Sequence, residues 1–363
     1  MSDKTNNVFV LSPYLVPFMH DRPSGGVNFR WRSGVNIGDG FILYAIERLL
    51  GPFESGKVLS TRVTPKLTLQ ESLSGAHNIY LAGANQLTDN FAPWPNFDLD
   101  FFNRSRARFI PFGVGIDGRS VAAIKLTPLA REVIRAIHDR IEFSSWRCPQ
   151  TVAFLDREFP ELAGRFLMTG CPVLFDKPLL ASQRFHDAIE HIAVTITDRD
   201  SFMDREMATL EAAAQIFSSS RKSLVLHQRF QPATLFDAIG AGRFVAKTLG
   251  EDRNEIRNFA RKLGFDVVAP KTAKEGISFY RTVDLHIGSR LHAHLMMLSQ
   301  NKKSFLTYVD ERATGMATHF GFPICDPNNI EEYLNFDFEI VRRNAILTFE
   351  TMNTFIRSTL KAT

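Results

Sequence analysis

The chain has 363 residues, of which 44% are hydrophobic and 23% charged, and its net charge is +4. That length exceeds what a single hydrophobic core usually serves and suits two domains of ordinary globular composition. The mild basicity fits an anionic substrate or an acidic membrane surface, while the lack of any Lys/Arg block excludes a nucleic-acid binder.

The other bulk features narrow the class further. Phenylalanine is abundant at 32 residues, so aromatic packing should dominate the cores. The three cysteines, Cys148, Cys171 and Cys325, are far apart and form no CxxC pair, which excludes a zinc cluster or a disulfide framework and points to a reducing cytoplasm. The apolar stretch from Val8 to Met19 is broken by Pro13 and Pro17 and lacks a basic n-region, so it is not expected to act as a signal peptide. No run reaches the ~20 apolar residues that a membrane span needs.

In chain order, Val8–Leu11 reads as a first strand, followed by a loop holding Gly25, Gly26 and Gly34. After Asn36-Ile-Gly-Asp39, apolar residues at Ile42, Ala45, Ile46, Leu49 and Leu50 have the 3.6-residue period of a helix. Strands follow at Ile79–Ala82 and at Phe109–Gly115, the second ending in a glycine-rich turn. A helix over Leu129–Ile137, a strand at Ile141–Phe143 and a helix from Pro149 through Phe159 complete the first half. The second half repeats the style. Strands are expected at Ile192–Ile196, Leu224–Gln228, Asp266–Val268, Val283–Ile287 and Phe305–Tyr308. Between them lie helices with Leu210–Phe217, before Gly240 and over Asp252–Leu263, and a long helix from Ile340 to Leu360 closes the chain. Such alternation predicts α/β architecture, with parallel sheets covered on both faces. The interruption around Asp176-Lys-Pro178 places the domain boundary, giving 1–180, 181–335 and a C-terminal helix in 336–363 that suits a bridge between them.

The segment Asp284-Leu-His-Ile-Gly-Ser-Arg-Leu-His-Ala-His294 carries the chemistry. A buried strand breaks at Gly288-Ser289, and Arg290 opens an apolar helix, Leu291–Leu298. A turn running into a helix N-terminus offers backbone N–H groups and a positive dipole end to an anion. Arg290 adds a planar fork for carboxylate or phosphate, and His292 a proton carrier near neutral pH. His292 and His294, two apart on a helix, do not share a face and make no metal pair. His294 and His286 are expected to be structural, and the Asp198/Asp200 pair to be solvated, so no metal site is expected.

Several motifs in order resemble the polysaccharide pyruvyl transferases. Asn36-x-Gly38-Asp39 resembles the family's N-x-G-D, and Leu81-Ala-Gly83-Ala84 stands where it has a glycine-rich strand end. Phe112-Gly-Val-Gly-Ile116 resembles its G-x-G-I turn, Arg290-Leu291-His292 its R-L-H, and Tyr308-x-Asp310-x-Arg312-x-x-Gly315 its Y-D-x-K-x-x-G. Two segments depart from the pattern. Arg147 is kept within Ser145-Trp-Arg-Cys148, where the family shows V-R-D, and Cys171 stands where an Asp is common.

The resemblance implies two Rossmann-like domains facing across a cleft, glycosyltransferase-B-like, and transfer of a pyruvyl group from phosphoenolpyruvate to glycan hydroxyls as a ketal. Phosphoenolpyruvate is then a co-substrate and no cofactor is needed. The roles that follow are His292 as proton donor and Asp39 as the catalytic carboxylate, although an Asp at a helix start also suits an N-cap. Donor binding falls to Arg290, Leu291, Arg147, Arg312, Gly288 and Ser289, and acceptor binding to Asn36, Gly113, Gly115 and His227. The expected partner is a carbohydrate, with lipid linkage compatible with the basic charge, and the expected place is the cytoplasm, including the inner membrane face. Two rivals share this reading. A nucleotide-sugar glycosyltransferase would use Arg290 for a diphosphate, and a non-catalytic glycan-binding protein would fit the Cys148 and Cys171 departures.

Overall fold

A computed structural model describes residues 8–14, 36–54, 56–61, 64, 66–181, 184–197, 200–227 and 255–361. The Gly25/Gly26/Gly34 loop, Asp198, Gln228 and the helix expected before Gly240 lie outside these residues.

Two parallel sheets organise the chain. In the first, β1 (Val8–Ser12), β2 (Val58–Ser60), β3 (Asn78–Ala82) and β4 (Arg108–Phe112) lie in the order β2-β1-β3-β4. A parallel pair, β5 (Ser144–Trp146) and β6 (Phe166–Met168), extends it through a bridge between Val114 and Trp146. The second sheet has six strands: β7 (His191–Thr195), β8 (Arg221–Val225), β9 (Asp266–Val268), β10 (Leu285–Gly288), β11 (Lys303–Thr307) and β12 (Ile324–Cys325), in the order β12-β11-β10-β7-β8-β9. Each sheet reverses its winding once, between β1 and β3 and between β7 and β10. In open parallel sheets, such reversal points leave a crevice beyond the carboxyl ends of the strands where ligands settle.

Helices cover the faces as the apolar periodicity requires. The Ile37–Leu50 helix buries Phe41, Ile42, Leu43, Ala45 and Ile46. Its partner from the second half is the Ala273–Tyr280 helix. The two approach closely because Gly40 faces Ala273 and Gly276 faces Ile37 and Phe41, where any added Cβ would fall within about 3 Å of those side chains. Tyr14 ties the same contact by accepting a hydrogen bond from Ala273 N at 2.9 Å. The Glu339–Lys361 helix returns to the first sheet, where Tyr80 and Thr359 hydroxyls are 3.0 Å apart and Arg108 donates to Thr359 O at 2.7 Å. Earlier in the same helix, Phe349 meets Phe175.

Some strands shift from their expected places. The strand expected at Ile141–Phe143 forms instead at Ser144–Trp146, because Ser144 and Ser145 are buried through hydrogen bonds rather than through apolar character. β8 ends at Val225 rather than at Gln228, so His227 lies beyond the strand. The three-residue strands β2 and β6 are too short for a pattern to reveal. Among the described residues no helix is long and apolar enough to cross a membrane.

Candidate active site

A cavity of about 90 Å³ lies between the two sheets, with Asn36, Gly38, Asp39 and Asn85 on one side and Thr197, His227, Ser289, Arg290, Leu291, His292, Asp310 and Arg312 on the other. Three helices begin at it: Ile37–Leu50, Leu291–Ser299 and Glu311–Phe320. Their positive dipole ends face the same small space, while the N–H groups of Ile37, Gly38, Asp39, Arg312 and Ala313 are taken by His227, Asn36 and Asp310. Thr197 follows β7 and Ser289 follows β10, which puts this cavity at the reversal point of the second sheet.

The β10 end is held by close packing and a buried polar chain. Gly288 has a φ of 139°, and a Cβ there would come 2.2 Å from Thr195 O on the neighbouring strand, so only glycine fits. Thr195 Oγ1 accepts from Arg290 N at 3.3 Å and is 2.7 Å from His286 Nε2. His286 Nδ1 is 2.7 Å from Ser304 Oγ, which also meets His294 Nδ1 at 2.8 Å. His286 and His294 are therefore core histidines that brace the turn, and burial pushes His286 down to about 3. The Arg290 guanidinium is aimed by its Nε, which donates to Ile196 O at 2.6 Å.

His292 packs against the opposite wall. A Cβ on Gly38 would be 2.8 Å from His292 Nδ1, so the glycine of Asn36-x-Gly38-Asp39 lets the two halves touch. His292 Nε2 is buried without a hydrogen-bond partner. Burial holds the imidazole well below its ordinary value, and the charges of Arg147, Arg312 and Arg290 push it the same way. His227, also expected here, is on the cavity wall with Nε2 2.6 Å from Tyr280 Oη, and burial likewise keeps it neutral.

Arg312 enters the cavity as half of an ion pair, its Nε donating to Asp310 Oδ1 at 2.8 Å and an Nη to Asp310 Oδ2. The carboxylate fixes the fork and leaves the remaining guanidinium donors for a ligand. Asn36, rather than Asp39, is the N-cap of the first helix, its side chain accepting from Gly38 N at 3.1 Å. Asp39 sits in the first turn, 4% exposed, on the cavity wall.

Four expected site residues lie elsewhere. Arg147 is only 1% exposed and sits behind the wall, donating to Gly113 O and to Asn85 Oδ1 at 3.3 Å. Its fork is spent on protein acceptors, so it reaches the cavity through its charge and through Asn85. Gly113, at a φ of 65°, packs against Pro172, and Gly115 leaves room for Arg147; neither lines the cavity. Gly288 shapes the strand end without lining it. Cys148 and Cys171 are both buried, and burial pushes the Cys171 thiol up, so it stays protonated beside Arg147.

Sequence reading passed over other contributors. Asn85 stands two residues past Gly83, within a loop that periodicity leaves blank. Asp310 lies in a motif that was read only for its arginine. Glu206 accepts from Thr197 N nearby in the chain and, at 3.2 Å, from Ser289 Oγ, 83 residues on, bracing the ends of β7 and β10 together. Nothing local in the sequence marks it.

The family model for polysaccharide pyruvyl transferase matches residues 36–311, from the Asn36 cap to the start of the Arg312 helix. The chain belongs to the polysaccharide pyruvyl transferase family. No curated relative matches the sequence. Among solved structures, this family member is similar to a candidate UDP-N-acetylglucosamine 2-epimerase from Listeria monocytogenes, at 12% identity and a TM-score of 0.52, covering 98% of this chain and 97% of that one. It is similar to S. aureus MnaA in a UDP co-structure, at 11% identity and a TM-score of 0.50, covering 98% and 96%. A glycosylation-associated protein complex from Streptococcus agalactiae matches at 12% identity and a TM-score of 0.45, and the chain spans 57% of the length of that protein. At such identities the likeness is one of fold: two Rossmann-like domains facing across a cleft, as in glycosyltransferase-B proteins.

Proposed function

We propose that the cavity binds phosphoenolpyruvate and that its pyruvyl group passes to two hydroxyls of a carbohydrate as a ketal. The observation that carries this reading is the meeting of three helix N-termini with Arg290, Arg312 and His292 around one small space, opposite Asp39. The donor has a phosphate and a carboxylate on a short carbon frame, and two arginines among three converging positive dipole ends match two anionic groups.

The chemistry follows from the donor. Protonated His292 gives a proton to the methylene carbon, which becomes the methyl group and leaves C2 cationic. An acceptor hydroxyl bonds to C2 and gives its proton to Asp39. The bond from C2 to the phosphate oxygen breaks, and a second hydroxyl closes the ketal, its proton leaving with phosphate. Arg290 and Arg312 hold the charge that shifts onto the departing phosphate. His292, neutral in the ligand-free protein, gains proton affinity when a polyanion binds beside it. Phosphoenolpyruvate is a cytoplasmic metabolite, so this reading sets the reaction there.

Calorimetry with phosphoenolpyruvate, paired with phosphate release in the presence of glycan acceptors, tests the proposal. Charge-assisted hydrogen bonds are worth ~1.5–3 kcal/mol, so Arg290→Ala should weaken binding roughly tenfold or more. His292→Ala should still bind while turnover is lost. A wild-type protein that ignores phosphoenolpyruvate, or releases a nucleotide from a sugar nucleotide instead of phosphate, overturns the reading.

A further inference from the structure

Arg312 stands on the Glu311–Phe320 helix, which follows β11 of the second sheet, yet that helix is seated on the first half of the chain. Glycines mark where the two touch. A Cβ on Gly118, in the loop after β4, would come 3.0 Å from Asp310 Oδ2 and 3.4 Å from Arg312 Nε. On the helix itself, a Cβ at Gly315 would come 3.1 Å from the Cβ of Cys148, the residue before the Pro149–Glu158 helix. At the far end, a Cβ on Gly170, beyond β6, would fall 2.8 Å from the ring of Phe320. Larger side chains at these points would drive the helix off the first half, so glycine at each sets how near it lies.

The first-half side of this seat is anchored. Arg119 donates from Nε to Asp117 Oδ2 at 2.7 Å and from Nη1 to Asp89 Oδ2 at 3.1 Å. Asp89 Oδ1 accepts from Lys125 N at 2.6 Å, so Asp89 ties down the Gly118 loop on both sides of the glycine. Cys148 is buried, with Sγ 3.1 Å from Thr151 Oγ1. Arg290, by contrast, is aimed by Ile196 O, just past β7 of the second sheet. The two guanidinium groups at the cavity therefore take their positions from opposite halves of the chain.

A ligand with two linked anionic groups needs both arginines at one separation, whereas a single phosphate can settle against either. We propose that the contacts at Gly118, Gly170 and Gly315 set that separation and make the cavity selective for a compact molecule with two linked anionic groups. These glycines are positioning residues that act through Arg312. The proposal rests on the pyruvyl-transfer reading only for which such molecule is the natural one.

Two variants shift the seat from independent sides. In Gly315→Ala the added methyl meets Cys148 and Gln150, and alanine favours a helix interior over glycine, so helix propensity does not weaken the fold. Gly118→Asn crowds Asp310 and Arg312 from the loop, and asparagine tolerates a positive φ, here 98°, better than most side chains. Calorimetry on the whole chain uses phosphoenolpyruvate, pyrophosphate and inorganic phosphate as probes. Both variants should lose affinity several-fold for the two probes with linked anionic groups, while inorganic phosphate binds as it does to wild type. In an Arg312→Ala background neither should bring any further loss, because residues acting through one another are not additive. Equal losses for all three probes, or a full further loss in the absence of Arg312, overturn the proposal. If phosphoenolpyruvate fails to bind wild type while pyrophosphate shows the expected pattern, the donor reading falls and the positioning role stands. If phosphoenolpyruvate binds and the variants leave it unchanged, the positioning role falls alone. If neither linked probe binds, both fall.

Discussion

Burial, together with the charges of Arg147, Arg312 and Arg290, keeps His292 in its neutral form, because an imidazolium there would lose its hydration and face three cations. A general acid must carry its proton when it acts, so the substrate's own charge has to supply the difference. The sign is fixed: bound anions favour the imidazolium, raise the His292 pKa and draw a proton from solvent. Calorimetry in buffers of different ionisation enthalpy, near pH 7, should show proton uptake on binding phosphoenolpyruvate in wild type and a smaller uptake in His292→Asn. Equal uptake in both proteins would remove His292 from the proton path. Arg290 and His292 were legible as a pair because a strand, a glycine turn and a helix start can be read locally. Arg147 was legible only as an arginine. Its use on Gly113 and Asn85 depends on a turn more than 30 residues away.

At the level of elements, the cavity exists because the Ile37–Leu50 helix lies tight against the Ala273–Tyr280 helix, carrying Asn36, Gly38 and Asp39 to His292. Gly276 is the contact that permits it, since a Cβ there would come 2.9 Å from Ile37 Cδ1. In Gly276→Leu, overpacking costs about 1–3 kcal/mol, and removing a helical glycine offsets ~1 kcal/mol of that. Urea unfolding should therefore show a loss of up to about 2 kcal/mol, with weaker phosphoenolpyruvate binding because the Asp39 wall shifts. Normal binding in a destabilised variant would show that the helix position does not govern the cavity. The long helices and most strands were legible from period and length. β5 was misplaced by three residues because its buried serines are satisfied by Thr169, His138 and Gly113, partners that a sequence window does not contain.

Across the whole molecule, five histidines are strongly depressed by burial: His138 to about 4, His286 to about 3, and His227, His292 and His294 well below their usual value. Each stays neutral in the folded chain but protonates near pH 6.5 once unfolded, so below that pH the unfolded state binds more protons. Stability is fully present above about pH 6.5 and is lost as pH falls toward the folded values, by up to about 1.4 kcal/mol per pH unit for each group. Urea midpoints at pH 7.5 and pH 5.0 should differ accordingly, with the acid value much lower. Matching midpoints would mean that these imidazoles are solvated in the folded chain.

The sequence by itself determined the α/β alternation, the strand, glycine turn and helix start at Gly288–His292 and, through motifs in order, the family. Each of these is written in residues close together along the chain, where periodicity, turn chemistry and helix polarity act. Only the tertiary structure decided that a sheet reversal point and three helix N-termini converge on one cavity. It also decided that Arg147 stands behind the wall, that Asn85 lines the cavity and that Glu206 braces it. Those assignments depend on which strands become neighbours and how closely two helices approach. Such packing is settled between distant segments, where the local pattern carries no information.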